Sequence, residues 1–180
     1  PAGLAAARVA ALRGHEVILH EAANDPGGQV RLTAQTPRRA EMIQLIQWRF
    51  EECEKLGVTF RFNSFADAAT VMDENPDVVI VATGGIAHTE ILPQGNDLVV
   101  SAWDILSGDV QPGSNVLIYD DAGDQAALQA AEKIASTGAK VEIMTRDRVF
   151  SPEVMGMTLT PAMRALQPQD VTFTVTWKLE

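Results

Sequence analysis

The chain has 180 residues, 46% of them hydrophobic, with 14 basic and 24 acidic side chains and a net charge of −10. That length fits one large domain or two small ones, and a mean hydropathy of +0.01 fits a soluble globular protein. The acidic balance excludes non-specific binding to nucleic acid or anionic lipid, and the lone Cys53 excludes an intramolecular disulfide, a four-cysteine iron–sulfur site and a cysteine-based zinc site within these residues.

Residues 3–13 predict a helix, with Ala5, Val9 and Leu12 as its inward stripe and Gly14 as its stop. Glu16–Glu21 reads as a short apolar strand, and residues 24–29 (NDPGGQ) as a loop. Pro37 precedes a helix over 38–56 whose buried stripe is Ile43, Ile46, Phe50 and Cys53. Residues 58–62 predict a strand, and 64–73 a short helix with Ser64 as its N-cap. The unbroken VVIVA run within 76–85 predicts a central parallel strand covered on both faces. Residues 86–114 are less regular, with a small strand over Leu98–Val100 and a short helix over Trp103–Leu106. A second unit then offers a strand over Asn115–Tyr119, a helix over Gln125–Thr137 and a strand over Lys140–Thr145. In that helix Ala127, Leu128, Ala131, Ile134 and Ala135 face inward. The tail adds a helix near 159–166 and a strand near 171–175. No apolar run approaches the ~20 residues that span a bilayer, and no signal-peptide pattern opens the chain, so a cytoplasmic location is expected.

Strands alternating with helices imply parallel sheets with right-handed crossovers. The β-α-β pattern occurs twice. The expected fold is therefore a three-layer α/β, Rossmann-like FAD/NAD(P)-binding fold with two subdomains, 1–86 and 113–180, joined by residues 87–112.

Dinucleotides bind where a strand turns into a helix. Glycines let the backbone approach the pyrophosphate, the helix N-terminus supplies N–H groups, and an acidic residue ending the second strand holds the ribose hydroxyls. The string PAGLAAARVAALRGHEVILHE offers the second half of that unit, with Gly3 as the third glycine and Glu21 as the ribose carboxylate. On this reading the first strand and two further glycines precede Pro1. Alone, one glycine and one glutamate are a weak signal.

Their company makes them specific. Pro1-Ala2-Gly3-Leu4, Gly14-His15-Glu16-Val17, Glu21, Gly27-Gly28-Gln29 and Ala82-Thr83-Gly84-Gly85 follow in order. This series resembles the C-terminal region of the NADH:flavin oxidoreductase family that includes 2,4-dienoyl-CoA reductase, trimethylamine dehydrogenase and histamine dehydrogenase. The resemblance is firmest over residues 1–85 and looser over 86–150. It implies that Gly3 and Glu21 contact the adenosine diphosphate part of FAD, or ADP. It implies that Gly28, Gln29, Ala82, Thr83 and Gly84 lie along the pyrophosphate and toward the flavin. Arg31 is a candidate phosphate partner, or a solvated arginine. The family plan further implies an upstream barrel with FMN and a 4Fe-4S cluster, a small-molecule substrate, an electron-transfer protein as a candidate acceptor, and a homo-oligomer as one assembly. No catalytic acid, base or nucleophile is expected here. The competing reading is a non-catalytic structural or partner-docking domain that binds ADP or nothing.

The second unit departs from the pattern. Its loop reads Asp120-Asp121-Ala122-Gly123-Asp124, with one glycine and three carboxylates where a pyrophosphate needs positive field. Two like charges at about 4 Å cost roughly 4 kcal/mol at an effective dielectric of 20, half of a micromolar affinity of about 8 kcal/mol. Loss of NAD(P)H binding is the expectation, against a competing role for Arg146 and Arg148 on a 2′-phosphate. His15, His20 and His88 lack metal-ligand spacing and read as surface or packing residues. Cys53 reads as a buried structural thiol, and Glu51-Glu52 as a solvated helix face.

Overall fold

In the computed structural model, which describes residues 1–179, the alanine-rich α1 (Ala2–Leu12) leads into β1 (Ile18–His20). Two short elements follow: α2 (Gln29–Thr33), absent from the sequence reading, and a 3₁₀ turn over Pro37–Ile43 where the start of a long α-helix was expected. Then come α3 (Gln44–Lys55), β2 (Thr59–Arg61) and α4 (Ala68–Asp73). β1 and β2 pair in parallel, Ile18 opposite Thr59 and His20 opposite Arg61. The remaining elements are α5 (Ala102–Ser107), β3 (Asn115–Asp120), α6 (Gln125–Ala135), β4 (Lys140–Thr145), α7 (Gly156–Leu166) and β5 (Val171–Thr174). β3, β4 and β5 form a parallel sheet in that order. The fold is mixed α/β with parallel sheets, of the Rossmann-like kind. The chain divides into two compact units, Pro1–Ala34 with Arg38–Gly85, and Gln35–Pro37 with the residues from Ile86 onward.

The first unit packs α1 and α3 over the β1–β2 pair. Leu4, Ala7, Ile46, Cys53 and Val58 form its core. The stripe expected on α1 is rotated: Val9 is 45% and Leu12 56% exposed, while Leu4 and Ala7 are buried and Ala11 packs against them. Ala7 and Ala11 on the inner face let the helix approach its neighbours closely around Leu4, and Val9 and Leu12 turn outward. On α3 the expected Ile46 and Cys53 are buried, with Phe50 packed beside them. Phe50, Phe60 and Phe62 form an aromatic cluster with centroids 4.8–6.0 Å apart.

Three further expectations fail here. The 76–85 segment forms no strand, and Val78, Val79, Ile80 and Val81 are 51–80% exposed. An apolar run makes a buried strand only where a neighbour supplies a ladder, and no strand pairs with it among the described residues. Leu98–Val100 is likewise no strand, because Asn96–Leu98 closes a 3₁₀ turn. Finally, Asp67 rather than Ser64 caps α4. Its carboxylate accepts the Thr70 N–H at 2.8 Å, three residues on as a cap requires, and these bonds hold its pKa below the usual carboxylate range.

In the second unit α6 buries Ala127, Leu128, Ala131, Ile134 and Ala135 as its periodicity predicts, together with Gln129 and Ala130. Of these, Leu128, Ala130, Ala131, Ile134 and Ala135 share one core with Val141 and Ile143 of β4 and Leu166 of α7, the last three at most 1% exposed. Each such fully buried aliphatic side chain contributes ~1.5–3 kcal/mol. Ser101 and Asp104 form a reciprocal capping box at the start of α5.

Candidate functional site

Three segments of the first unit converge on the start of α1. A Cβ placed on Gly3 lies 3.6 Å from Ala82 Cβ and 3.9 Å from Leu19 Cδ1, which puts the first turn of α1 against both β1 and the Ala82 segment. A Cβ on Gly28 lies 3.9 Å from Pro1 Cδ, so the glycine turn that opens α2 flanks the same helix end. No side chain caps α1, and its first turn carries no acid. Its leading N–H groups have no intrahelical acceptor, and the helix dipole adds positive field there. An anion held at such an end gains roughly 0.3–1 kcal/mol from the dipole alone.

Glu21 leaves the end of β1 with its main chain still laddered to β2. Its N–H donates to Arg61 O and its carbonyl accepts the Ser64 N–H, each at 3.0 Å. Its Oε1 accepts the Ala23 N–H at 3.1 Å, and the side chain is half-buried. Thr83 and Gly84 are exposed, and Gly84 has a φ of 73° with open space around its Cβ position. Gln29 is the exposed first residue of α2. Arg31 turns to Asp25, Nη2 to Oδ2 3.3 Å, at the rim of an open groove of about 330 Å³ floored by Ile46, Phe50 and Phe62. Gly3, Gly28 and Ala82 are thus brought together, whereas Arg31 is held by a carboxylate.

Gly27 stands in the sequence analysis as part of the Gly27-Gly28-Gln29 element, with no role in the site. It is buried with a φ of 133°, and a Cβ would lie 2.9 Å from Arg31 Cγ and 3.0 Å from an Ile46 methyl carbon. Of the paired glycines it is the one that neighbouring side chains force. His20, read from the sequence as a surface or packing residue, instead places its Nδ1 2.8 Å from Ser64 Oγ.

The matching loop of the second unit is closed on itself. Asp124 caps α6, accepting the Ala126 N–H at 2.8 Å. The buried Asp120 accepts the Gly123 N–H at 2.9 Å and the Ser151 N–H at 3.3 Å. Burial pushes its pKa up, and the two N–H bonds hold it partly back. Asp121 faces Arg146 at 3.5 Å. A Cβ on Gly123 would lie 2.8 Å from Pro152 Cδ, and the Glu153 N–H donates to Gly123 O at 3.0 Å. Two N–H donors of this loop, those of Gly123 and Ala126, are committed to the protein's own carboxylates, and a proline ring lies against the turn.

Cys53 Sγ donates to Leu4 O at 3.4 Å and is fully buried, joining α3 to α1. Burial raises its pKa. No helix among the described residues is long and apolar enough to cross a membrane.

No family model matches the chain. It is 70% identical over its whole length to a probable N-methylproline demethylase of Rhizobium meliloti (strain 1021), of which it spans 26%. It is 44% identical, over 97% of its length, to an N,N-dimethylglycine/sarcosine dehydrogenase of Chromohalobacter salexigens, again spanning 26% of that protein. Among solved structures, a 2-naphthoyl-CoA reductase in complex with 2-naphthoyl-CoA superposes on the entire chain with a TM-score of 0.91 at 27% identity, the chain covering 27% of it. The chain spans about a quarter of the length of these relatives, and it belongs, as that segment, to the NADH:flavin oxidoreductase, dienoyl-CoA reductase-like family.

Proposed function

We propose that this segment holds the adenosine diphosphate part of FAD, or ADP itself, within a larger flavin-dependent oxidoreductase that acts on a small-molecule substrate. The observation that carries the reading is the convergence of Gly3, Gly28 and Ala82 on the uncapped start of α1, with Glu21 at the end of β1. Leading N–H groups and glycines that let neighbouring segments approach the helix end suit a pyrophosphate, and a strand-end carboxylate suits a ribose diol. In this reading residues 1–86 form the FAD/ADP-binding subdomain, 87–112 a connection and 113–180 a second, NAD(P)-like subdomain. Gln29, Thr83 and Gly84 lie toward the flavin, and Arg31 exchanges Asp25 for a phosphate. A strand upstream of Pro1 pairs with the exposed Val78–Val81 run and completes the sheet. FMN and a 4Fe-4S cluster belong to the parent's remaining three quarters, and the redox chemistry is the cofactors' own.

A specific observation supports a different role for the second unit. Its self-bonded Asp120–Asp124 loop suits a scaffold rather than an NAD(P)H site. Electrons then come from the substrate and leave to an acceptor protein.

Denaturing the full-length protein and identifying what it releases tests the first reading. FAD is expected. ADP without FAD keeps the site but removes its redox role, and absence of both refutes the reading. Rapid flavin bleaching by NADPH would refute the scaffold role of the second unit.

A further inference from the structure

Glu21 is held in place from the opposite face of its strand. His20 precedes it, so the two side chains leave β1 in opposite directions. His20 Nδ1 lies 2.8 Å from Ser64 Oγ. Its Nε2 lies 3.7 Å from Glu74 Oε1, and the same oxygen faces Arg61 Nε at 3.6 Å. Nε2 is sealed from solvent without a hydrogen bond, an arrangement a fold keeps only where something offsets it. Ser64 does two things at once. Its hydroxyl meets His20, and its N–H donates to the Glu21 carbonyl at 3.0 Å. The neighbouring Asn63 N–H reaches Ala23 O at 3.2 Å, so the turn after β2 is laced to the residues that flank Glu21.

Serine, histidine and glutamate in a chain suggest acyl transfer, but the geometry points elsewhere. The Ser64 N–H, which would have to stabilise an oxyanion, is committed to Glu21 O. Ser64 is bound to the strand that presents Glu21, and that is its consequence.

We propose that His20, Ser64 and Glu74 are positioning residues for Glu21, and that this polar chain sets the affinity of the site for a nucleoside diphosphate. The proposal rests on the reading of Glu21 as the ribose ligand. Ser64 couples the imidazole to the main chain of the carboxylate residue. Cutting the chain frees the end of β1, and the carboxylate then samples positions that do not meet the ribose.

The test uses the full-length protein stripped of nucleotide, with ADP as the probe in calorimetric titration. His20→Phe and Ser64→Ala are expected to weaken ADP about tenfold, equivalent to ~1.4 kcal/mol. His20→Asn is expected to recover most of that loss, because its amide can reach Ser64 from about the place of Nδ1. If Glu21→Gln weakens ADP while His20→Phe and Ser64→Ala bind it like wild type, the positioning role is refuted and the ribose assignment stands. If Glu21→Gln also binds normally, the ribose assignment itself fails. Wild-type ADP binding by His20→Phe together with a loss in His20→Asn would mean that ring packing holds the strand, and would overturn the proposal. Ser64→Ala removes one hydroxyl only, so it carries the test if a ring substitution fails to fold.

Discussion

Gly123→Ala gives a sharp check on the closed loop of the second unit. Two independent costs are expected. Gly123 has a φ of 68°, where an L side chain costs roughly 1–2 kcal/mol. Its added Cβ would also lie 2.8 and 2.9 Å from Pro152 Cδ and Cγ. A pyrrolidine ring cannot rotate away, and Ser151 and Glu153 on either side are tied to Asp120 and Gly123 by N–H bonds. Overpacking of this kind costs about 1–3 kcal/mol, for a sum of roughly 2–5 kcal/mol. Gly138, in the same unit, is the matched control: its φ is 85° and nothing lies within 4 Å of its Cβ position. Gly138→Ala should therefore cost only the backbone part. Chemical denaturation of the full-length protein, followed by a probe in this unit, measures both variants. Repeating Gly123→Ala in a Pro152→Ala background should recover ~1–2 kcal/mol as a coupling energy. Equal costs for Gly123→Ala and Gly138→Ala, or no coupling to Pro152, would show that the ring does not press on this turn.

Other expectations are smaller in scope. Asp67→Ala should destabilise α4 by about 1 kcal/mol through loss of its cap, whereas Ser64→Ala should leave that helix intact; hydrogen exchange at Thr70 separates the two. Asp120 titrates above the usual 3.8, so any stability it contributes is complete below that value and is lost as pH rises through the raised folded value. The stability of Asp120→Asn relative to wild type should accordingly climb with pH across this window, and a flat difference would refute the assignment. The buried, pKa-raised thiol of Cys53 should react with disulfide reagents only as fast as the first unit opens. Labelling that outpaces hydrogen exchange on α3 would place the thiol at the surface.

Much of this architecture is legible in local pattern. The α6 stripe and the β3 and β4 strands are set by local period, which suffices to find them; the Ser101–Asp104 capping box of α5 is as local, but the sequence reading gave only the helix it opens. Alanine-rich α1 is less decisive, because alanines permit burial of more than one face, and packing chose the face of Leu4 and Ala7. Ser64 and Asp67 are both good caps by residue type. Only the geometry shows Ser64 engaged by His20, 44 positions away. The same distance hides the His20 chain: no local rule joins β1 to the turn after β2 and the end of α4. The VVIVA run fails for a related reason. Its composition states a preference for a ladder, but the ladder depends on another strand. Asp120, by contrast, is visible as an oddity in sequence, and the structure supplies the reason, an internal acceptor for two backbone N–H groups.

The exposed run from Val78 to Val81 also bears on how these residues behave in solution. Four consecutive β-branched side chains with no charge and no proline among them make an adhesive edge. Produced by itself, the 180-residue chain offers that edge to other copies, so its self-association should grow as concentration rises. A lysine at Val79 or Ile80 would act as a gatekeeper. The same lysine in the full-length protein, where the proposed strand would cover the run, would instead damage the sheet.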